Sequence, residues 1–190
     1  NSGDDNIGLG SFTLFVNEGS NNIAIGDHAL KNNTTANYNI ALGSNALLAN
    51  TTGGRNTAIG YKAANSTTTG DDNTAVGTGA LYATTTGTNN TAVGFKALEV
   101  STGTSNTDFG CKALDEKTSG DQNTAVGDHA LDNNTTASGN TAVGYIALEQ
   151  NTTGYQGVAI GYQALESNTE GLVNVAIGYR AASSCTDGDS

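Results

Sequence analysis

The sequence predicts an all-β fold, a parallel β-solenoid (β-roll) of about eleven coils, each 16 or 17 residues long. A five-residue phrase, as in Asn73-Thr-Ala-Val-Gly77, recurs along the chain. Its closing glycine returns in eight steps of 17 residues and two of 16. The residues before this glycine alternate with a period of two and include β-branched side chains, which is typical of a strand and not of a helix.

Two columns of the repeat are predicted to form the core. The residue before each closing glycine is large and apolar, and the residue two positions earlier is β-branched. Because side chains alternate across a strand, Ala75 and its equivalents between these columns are expected to face the other way. The large column contains Leu9, Ile25, Leu42, Ile59, Val76, Val93, Phe109, Val126, Val143, Ile160 and Ile177.

The rest of each coil is predicted to hold a second short strand and a turn. Ala80-Leu81 and its equivalents follow the closing glycine, and their Leu is expected to join the core. An Asn/Thr/Ser-rich turn then leads to a second glycine such as Gly87. The closing glycine fits a position that requires a positive φ, where the chain bends out of the strand.

The domain prediction is a single solenoid of eleven repeats over residues 1–182, with 183–190 as a C-terminal tail or the start of a further coil. Such narrow coils bury few large side chains, so neighbouring coils must stabilise one another. Association with other copies is therefore expected, either as a homotrimer or as a filament stacked end to end. The Ala columns are the expected contact surface, because small side chains allow close approach.

Composition excludes several classes of partner. The formal net charge is −11, with seven Lys and Arg residues in 190. Such a chain repels nucleic acids and anionic membrane surfaces, so neither is expected to bind. No run of 18 apolar residues occurs, and membrane insertion is therefore not expected.

A column of asparagines opens ten of the eleven predicted strands. Asparagine side chains that stack at the spacing of coils can form a ladder of amide hydrogen bonds. We therefore interpret this column as structural and not as ligand-binding. The predicted ladder consists of Asn56, Asn73, Asn90, Asn106, Asn123 and Asn140.

Eight Asn-x-Ser/Thr acceptors for N-glycosylation also occur, most of them in the predicted turn. Turn chemistry alone favours Asn and Thr there, so a purely structural explanation stays open. The candidate glycosylation sites are Asn32, Asn33, Asn50, Asn65, Asn89, Asn133, Asn134 and Asn151.

Aromatic residues follow the closing glycine in five coils, and Tyr145, Tyr162 and Tyr179 do so in succession. We predict that these three stack as an aromatic ladder. The ladder stiffens the rod, or alternatively it binds a carbohydrate or a protein partner.

No catalytic constellation emerges, and the protein is not expected to be an enzyme. His28 and His129 occupy equivalent positions six coils apart and cannot meet, and no Cys/His metal spacing is present. No cofactor is expected. A structural Ca²⁺ between coils is the alternative, with Asp71, Asp72 and Asp121 as its carboxylates.

The phrase Asn174-Val-Ala-Ile-Gly178-Tyr-Arg-Ala-Ala182 resembles the head repeat of YadA-type trimeric autotransporter adhesins, and similar repeats occur in phage and viral tail fibres. The resemblance extends from about residue 6 to residue 182. It implies a left-handed β-roll, three chains side by side and a role in attachment. The coil is longer than the usual head repeat, and no stalk or anchor is visible, so the resemblance supports the β-roll more than an autotransporter.

The predicted function is a structural or adhesive fibre segment outside the cell or on a cell or virion surface. Its partners would be further copies of itself and a host-surface or glycan receptor. The alternative is ice binding by a column of hydroxyls, which requires that column to face water. Because Ile and Val continue the same column at both ends, it is expected to point inward. The column contains Thr57, Thr74, Thr91, Thr107, Thr124 and Thr141.

Overall fold

The computed structural model describes residues 3–116 and 118–186. It confirms the predicted fold class: eleven parallel strands form one sheet, in which each strand lies beside its neighbours in chain order. The chain is therefore a β-solenoid with one strand per coil. The strands are β1 (Ile7–Leu9), β2 (Ile23–Ile25), β3 (Ile40–Leu42), β4 (Thr57–Ile59), β5 (Thr74–Val76), β6 (Thr91–Val93), β7 (Thr107–Phe109), β8 (Thr124–Val126), β9 (Thr141–Val143), β10 (Val158–Ile160) and β11 (Val175–Ile177).

The register of the sheet follows the sequence repeat. In β5 and β6, Thr74 pairs with Thr91 and Val76 pairs with Val93. The shorter steps keep the same alignment, since Thr91 pairs with Thr107 across a 16-residue coil. Equivalent residues therefore stack into continuous columns along the rod.

The core lies on the opposite side of the strands from the predicted one. Ala75 in β5 is fully buried, together with Ala80 and Leu81 from the following turn. The large column is instead partly exposed, and its most exposed members range from 36% at Val126 to 68% at Ile177. The prediction that this column and the β-branched column form the core is therefore wrong. The interior is so narrow that Ala from the strand meets Ala and Leu from the turn, which leaves no room for Ile or Val.

The predicted second strand is also wrong, because the Ala-Leu segment is a turn. Leu81 has a φ of 52° and Gly79 a φ of 70°, both in the left-handed region. The N–H of Ala80 donates to the carbonyl of Gly77 at 3.3 Å, as in a tight turn. The N–H of Leu81 donates to the carbonyl of Ala97 in the next coil at 3.0 Å, so the turns stack as regularly as the strands.

In ten of the eleven coils the closing glycine has the predicted positive φ, for example 136° at Gly77, and Gly110 is the exception. A second reason for glycine appears only in the stack. A Cβ added to Gly77 would lie 2.2 Å from the carbonyl oxygen of Gly94 in the next coil. Stacked coils therefore approach closely along this column.

The last coil extends beyond residue 182. The N–H of Thr169 donates to the carbonyl of Thr186 at 2.8 Å, and Cys185 packs against the core. Residues 183–186 thus continue the eleventh coil, and 187–190 lie outside the described residues. Among the residues that the structure describes, no helix has the length and apolar character needed to cross a bilayer.

Candidate functional site

The outer surface of the sheet is the most extended candidate site. Because Ala75 and its equivalents point inward, the first and third residues of every strand point outward. These outward positions carry Ile, Val, Leu, Phe and Thr, and none of them is charged in the eleven described strands. We call this surface the strand face.

The strand face is long and mostly apolar. Eleven strands at a spacing of about 4.8 Å extend over roughly 48 Å, and three residues per strand give a width of about 10 Å. Ile160 is 38% exposed and Phe109 is 43% exposed, even though each has stacked neighbours along its column. An apolar patch of several hundred Å² is typical of an interaction site.

The Ala columns are not available as the contact surface that the sequence suggested. Ala75 and Ala92 of the strands, and Ala80 and Ala97 of the turns, are all fully buried inside their own coil. Small side chains repeat here because the interior is narrow, not because a second chain approaches. The strand face is instead the candidate contact surface.

The Thr column belongs to the strand face, so the expectation that it points inward is wrong. Thr74 and Thr91 are adjacent in the sheet and half-buried, on the opposite side from Ala75. Ile and Val continue the column at both ends, on the same outward side of the strands. The hydroxyls of six successive coils therefore line one edge of this surface.

The predicted asparagine column is buried and links each coil to the next. The Oδ1 of Asn56 accepts the backbone N–H of Asn73 at 2.9 Å, and its Nδ2 donates to the carbonyl of Gly70 at 2.8 Å. The same pattern recurs at Asn73 and Asn90. Most of these bonds join a side chain to the main chain, so the column differs from the amide-to-amide ladder expected.

A second buried column contains four of the eight candidate glycosylation sites. Asn33, Asn50, Asn134 and Asn151 are fully buried. The Nδ2 of Asn151 donates to the Oδ1 of Asn134 at 3.1 Å, and it also donates to the carbonyl of Gly154 at 2.9 Å. A glycan on any of these four is incompatible with the folded coil, so their prediction as glycosylation sites is wrong.

The other four acceptors lie nearer the surface. Asn32 and Asn89 are exposed, and Asn65 and Asn133 are half-buried. Glycosylation at these positions stays a prediction. Each buried Asn of the second column is followed three residues later by a glycine or alanine whose carbonyl accepts its amide. Asn32, Asn65 and Asn133 have Thr at that distance, but Asn89 is followed by Ala92, so this signal separates only three of the four.

The three predicted ladder tyrosines are stacked. The ring centroids of Tyr145 and Tyr162 are 5.3 Å apart with 18° between planes. Those of Tyr162 and Tyr179 are also 5.3 Å apart, with 12° between planes. Tyr145 and Tyr162 are about half exposed and Tyr179 is 74% exposed, and the three rings lie at the border of the strand face.

A column of carboxylates, absent from the sequence predictions, follows the buried Leu in five successive coils. Near its middle, the Nδ1 of His129 lies 2.6 Å from the Oδ2 of Asp132. Ligand atoms of His129, Asp132 and Glu149 all lie within 4.8 Å of one another, a donor set that suits a divalent cation. Burial and the neighbouring Glu99 raise the pKa of Asp115 to about 6. The column consists of Glu99, Asp115, Asp132, Glu149 and Glu166.

The carboxylates first considered for Ca²⁺ do not form one site. Asp71 accepts the N–H of Gly54 at 2.6 Å, and Asp72 forms an ion pair with Arg55 at 2.6 Å. Asp121 lies three coils further along, where it accepts the N–H of Thr104 at 2.7 Å. Both Asp71 and Asp121 thus hold the turn of the preceding coil.

Asp108 is the one charged residue on the inner side of the described strands. It replaces the strand Ala in β7, is fully buried, and neither carboxyl oxygen has a hydrogen-bond partner. Burial raises the pKa of this carboxyl to about 9. Asp108 is therefore protonated near neutral pH and lies in the core as an uncharged group.

No family model, curated protein or solved structure matches the chain. The resemblance to adhesin heads and tail fibres therefore stays a prediction that depends on the repeat phrase alone.

Proposed function

We propose that this chain is a structural and adhesive segment of a fibre outside the cell or on a cell or virion surface, and not an enzyme. Copies of it associate side by side through the strand face, with a homotrimer as the arrangement that the repeat phrase implies. The observation that carries this proposal is the uncharged, apolar strand face. In this role the protein needs no cofactor, and its partners are its own copies and a surface receptor.

Packing is the physical reason for association. Among the described residues, the buried apolar side chains of the core are Ala and Leu, whereas the Ile, Val and Phe side chains of the strands lie outside. Each of those outer side chains gains about 1.5–3 kcal/mol when it is fully buried. Repeated over eleven strands, this gain favours covering the face with another copy, because the second copy presents an identical surface with the same periodicity.

The test is the molar mass of the protein in solution. We expect light scattering to give a multiple of 19.1 kDa, with three copies as the specific expectation. A Val93→Lys/Val126→Lys double variant places two charges on the strand face and should dissociate the assembly into single chains. Circular dichroism should keep its β signal, because neither side chain contributes to the interior.

The matched control is Thr85→Lys/Thr86→Lys, which adds the same charge on the exposed turn of the coil. This variant should keep the parent mass. A parent protein that elutes as a compact monomer at every concentration contradicts the proposal, and so does a double strand-face variant that keeps the parent mass.

A second candidate function is ice binding, which one observation favours. The hydroxyls of Thr57 to Thr141 lie on the outward side of a flat, regular sheet, one per coil. Ice binding requires this face to be free, whereas fibre assembly covers it. Thermal hysteresis that disappears in Thr91→Tyr would favour ice binding, and its absence in the parent chain would exclude it.

A further inference from the structure

A notch interrupts the columns that border the strand face in the fifth coil. Thr78 stands between Tyr61 and Phe95, where the flanking coils carry aromatic rings. Gly79 stands between Lys62 and Lys96, so the neighbouring column also lacks a side chain there. The result is a cavity of about 330 Å³. It is lined by Tyr61, Lys62, Thr78, Gly79, Tyr82, Phe95, Lys96 and Glu99.

The small residue Gly79 is not required by the backbone conformation or by lack of space at its position. Equivalent positions in other coils carry Lys62, Lys96 and Gln163 at φ values of 57°, 54° and 55°, close to the 70° of Gly79. A Cβ on Gly79 would make only an ordinary contact, 3.4 Å from the Cγ of Lys96. The coil thus tolerates larger residues at this point, and the notch is a local departure from the repeat.

The width of the notch suits one six-membered ring. Aromatic rings in successive coils lie 5.3 Å apart, as in the Tyr145–Tyr162 pair. Tyr61 and Phe95 are two coils apart, so their rings are separated by roughly 10 Å. A ring inserted midway would lie about 5 Å from each, within the range at which rings pack on aromatic side chains.

The notch is also cationic in an otherwise acidic molecule. Two of the seven Lys and Arg residues of the chain line it. The Nζ of Lys62 lies 5.2 Å from the ring centroid of Tyr61 and 5.8 Å from that of Tyr82, and no carboxylate of the described residues forms an ion pair with it. The Nζ of Lys96 lies 2.9 Å from the Oε2 of Glu99. Lys62 is therefore available to an anionic ligand.

We propose that this notch binds a uronic acid unit of a polysaccharide. The pyranose ring packs between Tyr61 and Phe95, and its carboxylate pairs with the ammonium group of Lys62. The hydroxyls of the sugar have Thr78 and Glu99 as hydrogen-bonding partners. This inference rests on the adhesive part of the proposed function and names the chemistry of its receptor.

The experiment is calorimetric titration of the full chain with a galacturonic acid tetrasaccharide. A neutral galactose tetrasaccharide is titrated in parallel. We expect the acidic sugar to bind at least tenfold more tightly than the neutral one. Thr78→Tyr fills the notch with the residue found at the equivalent position in four other coils, and it should weaken binding at least tenfold. Lys62→Gln should remove the preference for the acidic sugar.

The matched control is Ser44→Tyr, which adds the same ring in the same column but beyond Tyr61, outside the notch. It should leave the affinity unchanged within twofold. The inference is overturned if neither sugar binds, if both bind equally, or if Thr78→Tyr binds like the parent. It is also overturned if Thr78→Tyr changes the molar mass of the assembly. Such a change would show that the notch of the parent protein is a contact with a second copy and not a sugar site. Light scattering on the same samples distinguishes a failure of this inference from a failure of the fibre proposal. The fibre proposal is tested by the molar mass of the parent protein, whereas this inference is tested by its affinity for the sugar.

Discussion

Asp108 illustrates how one residue can depart from the repeat at a cost in stability. Every other coil but the first carries Ala at this position of the strand. The carboxyl is buried without a hydrogen-bond partner, and burial raises its pKa to about 9. A buried polar group without a partner costs free energy that an Ala would not. The cost of burial outweighs the compensation from the nearby backbone of Leu98, so replacement of Asp108 should stabilise the chain.

We predict that Asp108→Ala raises the free energy of unfolding at pH 7 by a few kcal/mol. Each unit by which the pKa of the carboxyl differs between the folded and the unfolded chain corresponds to about 1.4 kcal/mol. The parent should also lose stability as pH rises from about 4 to about 9. In that window the unfolded chain releases the proton while the folded chain keeps it. Urea denaturation at several pH values measures both effects.

Asp108→Asn is the control, because it keeps a buried polar group but cannot titrate. It should lose the pH dependence of Asp108 while staying less stable than Asp108→Ala. A parent and an Asp108→Ala variant with the same pH profile would show that this carboxyl ionises at its ordinary pKa.

At the scale of the coil, the period of the repeat was predictable and the direction of its side chains was not. The glycine spacing predicts stacked coils because each coil must repeat its neighbour to form the same hydrogen bonds. In a phrase such as Ile23-Ala24-Ile25, however, both faces of the strand are apolar. Only the width of the interior determines which face is inside, and that width depends on the turn at Leu30, which adopts a left-handed conformation.

The buried asparagines are the element that holds successive coils in register. We predict that Asn73→Ala lowers the free energy of unfolding by about 2–6 kcal/mol. It leaves the N–H of Asn90 and the carbonyl of Gly87 buried without partners, at about 1–3 kcal/mol each. Urea denaturation measures the loss. Thr85→Ala, on the exposed turn of the same coil, should change stability by less than about 0.5 kcal/mol.

At the scale of the whole molecule, sites arise from residues 16 or 17 positions apart. The carboxylates of Asp132 and Glu149 belong to neighbouring coils, as do Thr78 and the aromatic rings beside it. Each looks like an ordinary turn residue when the chain is read in order. Aligning the coils as columns reveals both the acidic column and the notch, but the inward direction of Ala must be known before the strand face can be recognised.

The central claim is that the third residue of each strand points away from its own coil and is covered by another copy. Thiol labelling of Val76→Cys, located by mass spectrometry of peptides, tests it most directly. We predict slow labelling in the parent background and at least tenfold faster labelling with Val93→Lys/Val126→Lys, while Ala75→Cys stays slow in both. Slow labelling of Val76→Cys in both backgrounds would place this side chain in the interior of its own coil, and fast labelling in both would mean that no copy covers the face.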